Sequence, residues 1–191
     1  MKKKLTVLVL AAMMLAGPLA RADEYSDTVN VYKSAGESAA FFNDCYGYAV
    51  FPTIGKGGLG VGAAHGNGRV YEKGKYVGDT SMTQVSVGFQ AGGQAFSQII
   101  FFQNKAAFDQ FTSGNFEFGA GVSAVAIKSG ASGSVGTTGA TASASSGSGK
   151  TGAGTAGKYR KGMAVFSVAK GGLMYEASLS GQKFSYNKAG S

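Results

Sequence analysis

The sequence predicts an α+β fold, with an N-terminal helix packed on a glycine-rich, mainly antiparallel sheet that is curled or barrel-like. Three observations predict it. Apolar residues recur at three- and four-residue spacing over residues 26–43, near the start of the chain. Short stretches of alternating apolar and small or polar residues then follow one another closely as far as residue 186. The 191 residues include 32 glycines, many of them inside those stretches, where glycine marks bulges, tight curvature or close backbone approach.

The first 22 residues read as a secretory signal peptide. Lys2, Lys3 and Lys4 form a basic start, residues 5–15 are apolar but too short to span a bilayer, and Ala20-Arg21-Ala22 fits the small-residue cleavage rule. Cleavage is expected before Asp23, which places the protein in the periplasm, peripheral to a membrane. Residues 23–191 then form one domain, long enough for a substantial core.

The helix over 26–43 has Ser26 as its expected cap and Asp27 in its first turn. Tyr32 (or Val31), Ala35, Ala39 and Phe42 make its apolar stripe, and Lys33, Ser34, Glu37 and Ser38 its polar side. Residues 48–51, YAVF, predict a buried strand ended by Pro52. Asn67-Gly68 and Lys73-Gly74 predict turns on either side of a short strand over 69–71. Val85, Val87, Phe89 and Ala91 alternate with Gln84, Ser86, Gly88 and Gln90. Residues 99–102 are wholly apolar, as a central strand would be, and 105–111 predict a short helix with Phe108 and Phe111 inward. Further alternation runs through Phe116, Phe118, Ala120, Val122 and Ala124, through Met163, Val165 and Ser167, and through Leu173, Tyr175, Ala177 and Leu179. Phe184 and Tyr186 predict a last strand. Between these lie residues 129–157, all Gly, Ser, Ala or Thr except Val135 and Lys150. They read as a flexible insertion that cannot bury enough apolar surface to order itself, or else as small-residue strands.

Charge is unevenly spread. Residues 23–127 carry six basic and nine acidic side chains, and residues 128–191 carry eight basic and one acidic, a net +7. That imbalance calls for an anionic partner: membrane surface, nucleic acid or acidic polysaccharide. Export argues against nucleic acid. Cys45 is the only cysteine and His65 the only histidine, so an internal disulfide is impossible and no metal site is recognisable. Cys45 reads as a packed, inert thiol, with a redox or intermolecular role as the alternative.

Two phosphate-binding motifs are present by letter and fail by context. Residues 55–60, GKGGLG, fit G-x-G-x-x-G, and Asp79 lies where a ribose-binding acid would. No helical period follows the glycines, and a dinucleotide site needs a helix N-terminus there. Residues 145–151, SSGSGKT, resemble a P-loop, but Ala144 replaces its first glycine and no apolar strand precedes it. No nucleophile–base pattern or paired carboxylates emerge, so the expectation is a non-catalytic protein without cofactor or metal.

Basic residues on expected turns and loops are the best binding candidates: Lys56, Arg69, Lys158, Arg160, Lys161 and Lys170, with Lys73 and Lys75 nearby. Lysine and arginine beside glycine-rich backbone suit phosphate.

Several ordered motifs then resemble one family. "YGYAVFPTIGKGGLGVGAAHGNGRVY", "SVGFQAGGQAFSQIIFF", "FEFGAGVSAVA" and "KGGLMYEASLSGQKF" are similar to successive signatures of the SYLF domain, also called the Ysc84-type domain. The resemblance covers roughly residues 26–186. It implies a lipid-binding module: eukaryotic members bind acidic phospholipids, and some bundle actin. The chain departs from the family in a mildly acidic N-terminal helix and in Ser167-Val168-Ala169-Lys170-Gly171, which lacks the family's arginine. The expected partner is therefore an anionic phospholipid or membrane surface, with an envelope protein partner as the alternative.

Overall fold

The computed structural model describes residues 20–59, 61–87, 93–119, 124–129, 135–136, 158–170 and 179–190. Most of the expected signal peptide, Phe89 and Ala91, Ala120 and Val122, most of 129–157, and Leu173, Tyr175 and Ala177 lie outside the described residues. The fold is α+β. Strands β1 (Gly47–Leu59), β2 (Val61–Glu72), β3 (Lys75–Val87), β4 (Gln94–Phe102), β6 (Val125–Ser129), β8 (Met163–Lys170) and β9 (Gln182–Lys188) form a curled half-barrel. Two-residue strands β5 (Phe116–Glu117) and β7 (Val135–Gly136) lie at its margins, and the order is β5-β9-β3-β2-β1-β4-β8-β6-β7. Every pairing is antiparallel except β6 with β8.

The curl is visible in one contact. β9 and β4 lie four strand steps apart, ~19 Å along a flat sheet at ~4.8 Å per step. Yet Gln98 and Gln182 meet face to face, each amide donating to the other at 3.0 and 3.2 Å. The inner face is filled by Phe51, Ile54, Met82, Phe96, Phe102, Val165 and Phe184. Helix α4 (Lys105–Thr112) seals one end of it. The Asn104 side chain caps that helix by accepting from the Ala107 amide at 3.0 Å, and Phe108 and Phe111 point inward as expected.

Glycine makes the tight inner face possible. β2 turns Gly62, Ala64, Gly66, Gly68 and Val70 inward, so β1 can lay Phe51 and Ile54 over bare backbone. A Cβ on Gly68 would lie 2.6 Å from the Phe51 ring, and one on Gly66 2.6 Å from Ile54. Asn67-Gly68 is therefore part of a strand rather than the expected turn. Lys73-Gly74 is a turn, with φ of 48° and 79°, the two left-handed residues of a type I′ hairpin.

Pro52 does not end β1. The register passes from Val50 opposite Arg69 to Thr53 opposite Asn67, so Phe51 and Pro52 together face Gly68. This bulge accommodates the missing proline N–H and shifts the alternation by one. Ile54 thereby turns inward, and Thr53 turns outward towards the helix.

The expected single helix over 26–43 is broken into α1 (Ala20–Ser34), α2 (Gly36–Ala39) and α3 (Phe41–Asp44). Ser26 and Asp27 lie within α1, not at its start. The first break falls at Ala35, which is extended at φ −81° and ψ 120° before Gly36. The buried Ser38 hydroxyl holds the bend by donating to the Tyr32 carbonyl at 2.5 Å. The three helices cover the outer face of the sheet. Val29, Tyr32, Ala35 and Phe41 pack there on Tyr48, Val50, Ile99, Phe101 and Phe166.

Three tyrosines set a pH limit on this packing. Burial pushes the phenols of Tyr48 and Tyr159 up to about 12 and raises that of Tyr32 as well. The unfolded chain ionises near pH 10, the folded protein only later. Stability is therefore complete below pH about 10 and is lost as pH rises towards about 12. The melting temperature should fall across that window, with tyrosinate absorbance appearing as the fold is lost. A flat melting temperature there would contradict this account.

Candidate functional site

The six candidate basic residues do not form one patch. Lys158, Arg160 and Lys161 stand together at the end of the sheet where β8 begins. Arg160 and Met163 exchange backbone hydrogen bonds of 2.8 and 3.0 Å around Lys161-Gly162. With φ of 50° and 79°, this is a second type I′ Lys-Gly turn. A Cβ on Gly162 would lie 2.9 Å from that of Ala107, so the turn is seated against α4. Tyr159 anchors the segment from below, edge-on to Phe41 at 5.0 Å. All three cations are exposed, and no carboxylate of the described residues lies within ion-pair distance of them.

The Lys73-Gly74 turn lies at the same end. The register runs Met163–Phe102–Gly47–Glu72 across β8, β4, β1 and β2, three strand steps or ~14 Å. Lys73 and Lys75 are exposed there. Nearby acids are partly committed: Tyr46 donates to Glu72, and Lys105 pairs with Asp109 at 2.6 Å.

Arg69 and Lys170 are held within the fold instead. Arg69 lies on the outer face of β2, with its guanidinium 4.3 Å from the Tyr25 ring centroid and 5.4 Å from that of Tyr76. Its Nε is 4.0 Å from Asp79. Lys170 donates to the Thr53 hydroxyl at 2.5 Å, which in turn donates to the Glu24 carboxylate at 2.8 Å. Both arrangements fasten α1 to the outer face of the sheet. Lys56 lies on β1 at the opposite end from the Lys-Gly turns, paired in register with Ala64 and Gln94.

Among the described residues, no group of three or more His, Cys, Asp or Glu could hold a metal ion. Cys45 is half-buried, and burial pushes its thiol up, which disfavours the nucleophilic thiolate. The outward faces of Val61 and Val85 were not singled out by sequence reasoning. The signal was there, in alternation that put valine opposite glycine and glutamine.

A family model described as Las17-binding protein actin regulator, Ysc84, matches residues 83–190. The chain is also similar to Beta cell expansion factor A of Aeromonas veronii, at 28% identity over 164 residues. That alignment covers 84% of this chain and 53% of the relative, so the chain spans about half the length of the curated relative it matches. The family match takes in β4, β8 and β9 and the basic turn at Lys161. The chain therefore belongs to the Ysc84, or SYLF, family of lipid- and actin-binding-type domains.

Proposed function

We propose that this protein is a non-catalytic, exported membrane-binding module that recognises anionic phospholipid head groups at its basic end. The observation that carries the reading is the exposed set Lys158, Arg160 and Lys161, held on a tight turn with no carboxylate of the described residues within ion-pair distance. Lys73 and Lys75 extend the same cationic surface. Arg69 and Lys170 contribute to it indirectly, by fixing α1 to the sheet, and Lys56 lies away from it.

A basic residue near an anionic bilayer contributes ~1 kcal/mol. Replacing Lys158, Arg160 and Lys161 together with alanine should weaken sedimentation with phosphatidylglycerol vesicles ~100-fold, at ~1.4 kcal/mol per tenfold. The effect should shrink as salt rises, because exposed charges are screened beyond ~8 Å at physiological ionic strength. Equal binding of the unaltered protein to neutral and anionic vesicles would overturn the reading.

A further inference from the structure

Two turns at the basic end break a local rule in the same way. Among the described residues, Lys73 (φ 48°) and Lys161 (φ 50°) are the only residues other than glycine with positive φ. Each precedes a glycine at φ 79° and opens a type I′ turn. Glycine has no Cβ to crowd the carbonyl at that first position, and the short side chains of asparagine and aspartate bond locally. Lysine has neither advantage. A residue held in a sparsely populated conformation points to a role outside the fold.

Neither ammonium group serves a carboxylate. Among the described residues, no acid lies within ion-pair distance of either. Glu72, next to Lys73 in the chain, accepts instead from the Tyr46 hydroxyl. The Lys73 ammonium lies 5.3 Å from the Tyr46 ring centroid, and the side chain stays exposed.

The backbone ties the two turns together. The Lys73 amide donates to the Tyr46 carbonyl at 3.0 Å, the Tyr46 amide to the Phe102 carbonyl at 2.8 Å, and the Gln103 amide to the Gly162 carbonyl at 2.8 Å. This line of bonds crosses the end of the sheet from one turn to the other. The row Met163–Phe102–Gly47–Glu72 levels them, because Lys161 lies two residues beyond it and Lys73 one. α4 fills the space between, with Ala107 under Gly162 and the Phe108 ring 5.5 Å from that of Tyr46. The separation is therefore set by three strand steps, ~14 Å.

We propose that Lys73 and Lys161 act as a pair. Each takes the phosphate of a separate lipid, and together they stand the strands upright on the bilayer. The proposal rests on the reading that the basic end binds anionic head groups. Once one lysine is engaged, the fixed spacing makes the second contact intramolecular, a gain that a free phosphate ion cannot supply. Lys158, Arg160 and Lys75 add attraction without setting the tilt.

The full chain with phosphatidylglycerol vesicles tests it. Asparagine is the diagnostic substitution, because it keeps the left-handed turn and removes the charge. Lys73→Asn and Lys161→Asn should each leave the urea midpoint unchanged or raised. Each should weaken sedimentation about fivefold, which is ~1 kcal/mol at ~1.4 kcal/mol per tenfold. Lys183→Asn removes the same charge away from the basic end, where Lys183 lies opposite Thr83 and 3.7 Å from Glu117, and should leave sedimentation unchanged. Inorganic phosphate exchanged for chloride at constant ionic strength should not release the protein. The chain has no tryptophan, so Lys75→Trp and Val85→Trp place lone reporters at the two ends of β3, ~33 Å apart. At saturating vesicles, brominated lipid should quench the first and spare the second. Asparagine variants that sediment like the unaltered protein would overturn the pair and leave the head-group reading standing. So would a lowered urea midpoint, which would show that lysine serves the fold there, and so would release by phosphate. Quenching of the Val85→Trp reporter would overturn the upright stance. Failure of the unaltered protein to sediment would overturn the head-group reading and the pair with it.

Discussion

Gly68→Val should lower stability by about 3 kcal/mol or leave the domain unfolded, the upper range for forcing extra atoms into a packed interior. The added Cβ alone would lie 2.6 and 2.7 Å from two atoms of the Phe51 ring and 2.8 Å from the Val50 carbonyl oxygen. Phe51 cannot swing away, because it is fully buried against Phe184 at a centroid distance of 5.7 Å. Relief would require β1 and β2 to separate where the Pro52 bulge already fixes their register. Gly55→Val provides the contrast. It adds a β-branched side chain where nothing lies within 4 Å, and should change stability by no more than ~0.5 kcal/mol. Urea midpoints for the two proteins decide the matter. A Gly68→Val midpoint equal to that of the unaltered protein would show that the inner face is loosely packed.

The second large effect is expected at Gln98 and Gln182. Both side chains are fully buried, and each satisfies the other's amide. Gln98→Leu removes one partner and leaves the Gln182 amide with a donor and an acceptor unpaired in the interior. Each such group costs about 1–3 kcal/mol. Replacing both glutamines with leucine removes the unpaired groups and should recover most of the loss. A double-mutant cycle should therefore give a coupling of about 2 kcal/mol, within the range for residues in direct contact. Additive losses would mean that Gln182 finds another partner when Gln98 is gone. The cycle also probes the curl, because these two strands meet only if the sheet rolls up.

The helix–sheet class, β4, α4, β8 and the last strand were legible because each has a strong local pattern. Phe108 and Phe111 at three-residue spacing leave little choice of face, and residues 99–102 have no polar side to expose. The boundaries that failed were set by distant partners. Pro52 reads locally as an end, but a bulge opposite Gly68 carries the strand past it. Asn67-Gly68 reads locally as a turn, but Gly68 is needed under Phe51. Ser26 reads as a cap, but α1 already runs through it, with Glu24 and Tyr25 held by Thr53 and Arg69. The basic candidates divide for the same reason. Spacing along the chain showed a run at 158–161 but not that Arg69 lies between aromatic rings or that Lys170 reaches Glu24 through Thr53. Val85 was only half legible: alternation gave its period, and only the curled sheet decides which side is inside.

The half-barrel joins early chain to late chain. Thr80 of β3 bonds to Ser185 of β9, 105 residues further on. Pairings so distant must close large loops before any favourable contact is gained, and folds dominated by them form in milliseconds to seconds. Until Phe184 arrives, Phe51 and Phe111 lack the ring that completes their cluster. A chain emerging from its N-terminus therefore stays open along β3 until nearly its last residues are available.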